Sequence, residues 1–279
     1  MRIARTVAEL RAFYRNERER GTTVAFVPTM GALHEGHLSL VRKARDAADI
    51  VVVSVFVNPL QFGPAEDFRT YPRDEARDLG LVESEDVNLV FLPSVEQMYP
   101  DGAVTTVHVE GPLTSALEGA SRPGHFDGVA TVVAKLLNVV DPDMAVFGQK
   151  DAQQAAVVRR MVLDLGFAAE IVVAPTVREP DGLALSSRNA YLSDGERSTA
   201  AVLYRALLEG EDAHGSGGAD AAARRMRDVL EGTPGVDLDY AAAVDPYTFE
   251  APAPGGPLVL AVAARVGRTR LIDNLLLQP

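Results

Sequence analysis

His34 and His37 stand three residues apart in the run Pro28-Thr-Met-Gly-Ala-Leu-His34-Glu-Gly-His37. If that turn is helical, residues at this spacing share a face and the two rings project together. Gly31 and Gly36 remove side chains where a ligand would approach the backbone. A helix that starts directly after a strand offers unpaired N–H groups and the positive end of its dipole to an anion. A Walker A loop is ruled out on chemistry, and a metal site is a weaker alternative. A Walker A loop follows its last glycine with Lys and then Ser or Thr, whereas Gly36 is followed by His37 and Leu38. A zinc-protease helix spaces its histidines four apart around a Glu, and here they are three apart with His108, His125 and His214 scattered. Two surface histidines capping a helix are the plain structural alternative; the flanking glycines favour a ligand site.

Three further segments carry polar groups that could meet the same ligand. Gly182-Leu-Ala-Leu185-Ser186-Ser187-Arg188-Asn189 places two hydroxyls and a guanidinium after a glycine, a combination able to cradle an oxyanion or simply to start a helix. Phe147-Gly148-Gln149-Lys150-Asp151-Ala-Gln153-Gln154 offers a cation for phosphates in Lys150, with Gln154 one turn on; an Asp helix cap is its structural reading. Asn58-Pro-Leu-Gln61-Phe62-Gly63 follows an apolar run and reads equally as a turn built by Pro59 and Gly63.

These segments need elements to hold them. Residues 23–28, 50–57, 88–92, 144–147 and 169–174 are short apolar runs, and 50–57 (IVVVSVFV) is β-branched and apolar almost throughout, as in a strand covered on both faces. Helical spacing is read over 6–19, 36–48, 74–83, 129–140 and 152–165. Strands alternating with helices predict a doubly wound parallel sheet, with three of the polar segments at strand ends on one edge. After about residue 176 the pattern changes to helices over 194–213 and 219–231, separated by a flexible HGSGG at 214–218. Strands over 237–244, 258–265 and 270–277 follow, the last two joined as a hairpin through 266–269, giving a smaller α+β domain. The expected domains are 1–176 and 177–279.

Composition narrows the function. With 47% hydrophobic and 24% charged residues the chain is globular. A net charge of −12 opposes binding to a nucleic-acid backbone. The absence of cysteine excludes thiolate nucleophiles and disulfides. Apolar stretches such as 258–264 are far shorter than the ~20 residues of a membrane span. The Arg-rich first twenty residues lack the apolar block of a secretory signal, so the expected location is the cytoplasm.

Taken together, PTMGALHEGH (28–37), FVNPLQFGPAEDFRTYPRD (56–74), LEGASRPGHFDGV (117–129), FGQKDAQQ (147–154), DGLALSSRNAYLS (181–193) and TRLIDN (269–274) resemble the pantoate–β-alanine ligase (pantothenate synthetase) family of His-x-Gly-His nucleotidyltransferases, collinearly over nearly the whole chain. The resemblance implies a Rossmann-like doubly wound domain that binds nucleotide and pantoate, then a smaller α+β domain that lids the site. It implies ATP-dependent condensation of pantoate with β-alanine through a pantoyl adenylate, releasing pyrophosphate and AMP, with Mg²⁺ carried on the phosphates, no protein metal site, and a homodimer formed through the first domain. His34, His37, Lys150 and Arg188 match the family's catalytic groups. Its ATP contacts map to Met30, Gly31, Ala32, Leu33, His34, Glu35, Gly36, His37, Gly148, Gln149, Lys150, Asp151, Val177, Leu185, Ser186, Ser187 and Arg188. Gln61 and Gln154 match the pantoate contacts, Gln61 also the β-alanine site, and Asn58, Tyr71 and His125 lie near the substrates. Residues 62–74 are expected to form a mobile flap. Two positions depart from the family: Gln149 where Glu is common and Leu185 where Met is frequent. The rivals are a nucleotidyltransferase acting on a phosphorylated acceptor, which needs no amine, and a non-catalytic ATP-binding regulator, which releases no pyrophosphate.

Overall fold

A computed structural model describes residues 1–18, 21–64 and 66–278. They divide into two compact units that are not continuous in sequence. The first comprises Met1–Val109, Arg122–Gly148 and Val157–Ala174; the second comprises Glu110–Ser121, Gln149–Ala156 and Pro175–Pro279. Two short segments that sequence reading places before residue 176 thus group with the C-terminal part.

In the first unit the strands are β1 (Arg2–Ala4), β2 (Val24–Thr29), β3 (Ile50–Val55), β4 (Leu89–Phe91), β5 (Met144–Gly148) and β6 (Glu170–Ala174). All pair in parallel, in the order β1-β4-β3-β2-β5-β6. The longer helices are α1 (Val7–Arg18), α2 (Glu35–Arg45), α3 (Glu75–Ser84), α4 (His125–Val140) and α5 (Ala152–Leu165), whose first turns belong to the second unit. Residue 19, the expected end of α1, lies outside the described residues. Apolar runs make the strands because both faces are covered: Ala25, Val27, Val51, Val53 and Val90 pack with Leu40, Val41 and Ala44 of α2 and Val82 of α3 on one face, and Val24, Phe26, Val52, Leu89 and Phe91 on the other are buried as well. Each of these valine and leucine side chains contributes about 1.5–3 kcal/mol on burial. The strand order reverses at β2, which has β3 on one side and β5 on the other. In open parallel sheets the crevice outside such a reversal is where ligands bind.

In the second unit α6 (Asp194–Ala200) and α7 (Val202–Glu231) precede a three-stranded antiparallel sheet of β7 (Val236–Val244), β8 (Leu258–Val266) and β9 (Thr269–Leu277). Leu203, Ala206, Leu207, Met226 and Leu230 of α7 bury against Leu258, Leu260 and Val262 of β8. The expected flexible break at 214–218 is narrower: helix continues through His214–Gly217, and only Gly218 leaves helical geometry (φ 73°, ψ −168°).

Candidate active site

The loop after β2 is held from beneath by α3. Both carboxylate oxygens of Asp78 accept main-chain hydrogen bonds, from Ala32 and Leu33 at 2.8 Å each. Gly31 adopts φ +80°, and a Cβ there would lie 2.9 Å from both Asp78 Oδ2 and Val55 Cγ1, so only glycine fits. Its N–H donates to Thr29 Oγ1. His34 caps α2, its Nδ1 accepting from Gly36 N at 3.1 Å, while His37 Nδ1 accepts from His34 N at 3.4 Å. The ring centroids are 4.1 Å apart, so the pair does share a face.

This geometry corrects one expectation and sharpens another. The amides of Gly31, Ala32, Leu33, His34, Gly36 and His37 all donate within the protein, so the loop is not an open N–H cradle. Because each Nδ1 accepts from a backbone N–H, each neutral ring carries its hydrogen on Nε2 and has one defined donor. Glu35 turns its side chain to Arg42, which holds the carboxyl below its ordinary range.

A second network follows β3. Asn58 uses both ends of its carboxamide: Nδ2 donates to Gln61 Oε1 and Gly128 O, and Oδ1 accepts from Leu60 N and Tyr99 Oη. Burial pushes the Tyr99 phenol up, so it stays a donor. With Oε1 occupied, Gln61 presents Nε2, which lies 3.0 Å from Met30 Sδ. A thioether is a weak acceptor that a substrate oxygen can replace. Gly128 of α4 lets that helix approach: a Cβ would stand 2.2 Å from Leu60 O. His125 Nδ1 donates to Gln61 O at 2.8 Å, and its Nε2 lies 2.9 Å from the Arg122 guanidinium. His125 therefore positions Gln61.

Arg122 also makes a two-pronged pair with Glu66 at 2.7 and 2.8 Å. Burial raises the Glu66 carboxyl, but the Arg122 hydrogen bonds and charge outweigh it and leave the group below its ordinary value. The Phe62 ring packs against both Phe68 and Tyr71, edge-on to the latter, and Arg73 lies over Phe68. The expected flap over 62–74 is thus tethered and self-packed in its described residues; Ala65 lies outside them.

In the second unit Lys150 occupies the turn before α5, with Nζ 3.7 Å from Asp151. Ser186-Ser187-Arg188 does start a helical turn, in line with its structural reading: Ser186 Oγ accepts from Arg188 N, and its hydroxyl hydrogen is a separate donor. Val177 O accepts from Leu185 N, pairing the two ends of that loop. Arg178 grips Asp273 at 2.6 and 2.9 Å and stacks 3.9 Å over Tyr204. Gln154 is half-buried in the first turn of α5.

The model of the pantoate-beta-alanine ligase family matches residues 2–276. The chain belongs to the pantoate–β-alanine ligase family. The pantothenate synthetase of Acidobacterium capsulatum is 56% identical, covering 99% of this chain and 97% of that protein. That of Thermus thermophilus is 55% identical with both chains covered in full. A crystal structure of the Thermus thermophilus enzyme superposes with a TM-score of 0.93 at 54% identity, covering 100% of each chain. The Francisella tularensis ligase, crystallised with β-γ ATP and β-alanine, gives 0.83 at 36% identity, covering 99% of this chain and 97% of that one. The α/β fold with a separate three-stranded sheet is that of the family's solved structures.

Several residues that hold the family's motifs carry no local motif of their own. Asp78 lies 46 residues from Ala32 and escapes a reading by motif; an acid on the apolar face of a helix, one turn before Val82, is its signal. Asn274 enters the sequence reading only as part of TRLIDN, yet it is 4% exposed and bonded to the Lys150 turn. Thr176 Oγ1 and Asn189 Oδ1, at the two ends of the 177–188 segment, are buried with no hydrogen-bond partner among the described residues.

Proposed function

We propose that the protein is an ATP-dependent ligase that condenses pantoate with β-alanine, and that the groups described above carry its two steps. The pantoate carboxylate attacks the α-phosphorus of ATP, forming a P–O bond as the bond to pyrophosphate breaks. The β-alanine amine then attacks the acyl carbon, and AMP leaves with the bonding pair. A bare carboxylate would have to expel oxide; AMP is a far better leaving group, so activation comes first.

The observation that carries the reading is the His34–His37 pair, whose two Nδ1 atoms are occupied by main-chain N–H groups so that each ring offers Nε2–H. Such preset donors suit a reaction whose demand is charge on phosphate oxygens. In this reading Met30–His37 and Gly148–Asp151 meet the nucleotide, with Val177 and Leu185–Arg188; His37 serves as proton donor to the departing pyrophosphate. Lys150 and Arg188 balance charge, and Ser186 and Ser187 add hydroxyl donors. Gln61 and Gln154 bind the hydroxyls and carboxylate of pantoate, and Gln61 also lies at the β-alanine site. Residues 1–176 hold nucleotide and pantoate, and residues 177–279 supply the Val177 and 185–188 contacts. Among the described residues no group of three His, Cys, Asp or Glu side chains is placed to hold a metal. Mg²⁺ comes with the triphosphate in this reading, needing few protein ligands. The protein acts in the cytoplasm as a homodimer, which light scattering tests.

Pantoate-dependent exchange of labelled pyrophosphate into ATP, run without β-alanine across a panel of hydroxy acids, tests the whole scheme. Exchange with pantoate alone is expected. Exchange that strictly requires the amine, or that runs equally with every acid, overturns it.

A further inference from the structure

Lys150 depends on a residue 124 positions away in sequence. The Nδ2 group of Asn274 on β9 donates to the main-chain oxygens of Gln149 and Lys150, each at 2.9 Å. Carbonyl oxygens only accept, so this end of the carboxamide must be the NH₂ group. The other end, Oδ1, then takes a hydrogen bond from Gln149 Nε2 at 2.9 Å. Gln149 supplies the donor that this orientation requires; a carboxylate there would face Oδ1 with no hydrogen to give.

The two carbonyls are not arbitrary. One belongs to the peptide plane before the Lys150 α-carbon and the other to the plane after it. Holding both planes fixes the two soft torsions of that residue, and so the direction in which its side chain leaves the backbone. The anchor itself is braced. Asn274 N donates to Asp273 Oδ1 at 2.7 Å, Arg178 bridges Asp273 and Asn274 O, and Asn274 is itself buried. Neighbouring residues of β9 thus hold both the Lys150 turn and the strand-like start of the 177–188 segment.

We propose that Asn274 is a positioning residue for Lys150, setting its ammonium for the adenylation step through the two peptide groups that flank it. The inference rests on the reading that Lys150 meets the triphosphate. A misplacement of about 1 Å costs up to ~10²-fold in rate, so Asn274→Ala is expected to lower the kcat of pantoate-dependent pyrophosphate exchange by about tenfold to a hundredfold while leaving KM for pantoate in place.

The test is a double-mutant cycle on the full chain with Asn274→Ala, Lys150→Ala and the pair, with urea unfolding of each. If Asn274 acts through Lys150, its replacement changes exchange less than about twofold once Lys150 is gone. Equal factors in the two backgrounds overturn the inference and leave the ligase reading intact. A fully active Lys150→Ala removes Lys150 from the reaction, and the inference falls with that part of the reading. Asn274→Asp keeps the volume but turns an oxygen on both carbonyls; it is expected to be as slow as the alanine variant, and wild-type kcat in a folded Asn274→Asp protein refutes the proposal. Should that variant not fold, Asn274→Ser, which keeps one donor hydrogen, is expected to fall between alanine and wild type. A serine variant no faster than alanine refutes the proposal too.

Discussion

Asp78→Asn isolates what holds the histidine loop. The wild-type carboxylate gives one oxygen to each of two amides at 2.8 Å, and Asp78 is 2% exposed, so water does not substitute. Asparagine keeps the shape but can accept at one end only; its NH₂ meets the other amide hydrogen to hydrogen. A hydrogen bond to a charged group is worth about 1.5–3 kcal/mol, and stranding a buried donor costs about 1–3. Relief of the buried charge offsets part of this, so we expect a net loss of about 3 kcal/mol. That is a large share of the ~5–15 kcal/mol that holds a protein folded, yet leaves a folded variant. The same loop places His34 and His37, so exchange should fall well beyond the fraction unfolded. Urea unfolding gives the first quantity and pyrophosphate exchange at saturating ATP the second. Stability within about 0.5 kcal/mol of wild type, with exchange unchanged, would refute the claim that Asp78 supports the loop.

Gly128→Ala should separate pantoate binding from nucleotide binding: its Cβ would stand 2.2 Å from Leu60 O and 2.6 Å from Gln61 N, pushing the Asn58–Gln61 turn off α4. Calorimetry should show pantoate affinity lost with ATP affinity kept; the reverse pattern contradicts the role of that turn. Gln154→Ala should likewise weaken pantoate more than ATP by calorimetry, and the opposite order removes Gln154 from the acid's contacts. The depressed Glu66 carboxyl makes a pH prediction. Its pairing with Arg122 contributes stability that is fully present above the ordinary value of 4.5 and is lost as pH falls through the lower folded value. Arg122→Met should therefore flatten the stability–pH curve below pH ~4.5; an unchanged acid limb in urea titrations would show that the pair adds nothing.

The features that can be read from sequence are those whose cause is local. β2, β3 and β5 stand out as apolar runs because helices cover both faces, and the 34/37 spacing announces a shared face before any fold is known. β1, three residues with an exposed Arg2 and Ile3, has no such pattern and emerges only in the structure. His214–Gly218 looks like a linker by composition, but tertiary packing overrides propensity where Gly210 and Met226 meet at the helix pair. In the site, the groups proposed to touch substrate sit in compact motifs, whereas their supports do not. Asp78, Arg122 and Asn274 reach partners 45, 56 and 124 residues away. Only the folded chain brings such partners together.

The split membership of the second unit has a consequence for how this protein can be taken apart. Arg270 is bound to Glu118, and Tyr240 Oη donates to the same carboxylate, which comes from the 110–121 segment. A recombinant piece starting at Pro175 would strand that guanidinium beside Asp239 alone and leave Asn274 with no carbonyls to grasp. Swapping the C-terminal hundred residues between homologues is therefore a three-segment graft. Chimeras built on a single crossover should be unstable unless both parents agree at 118 and 149.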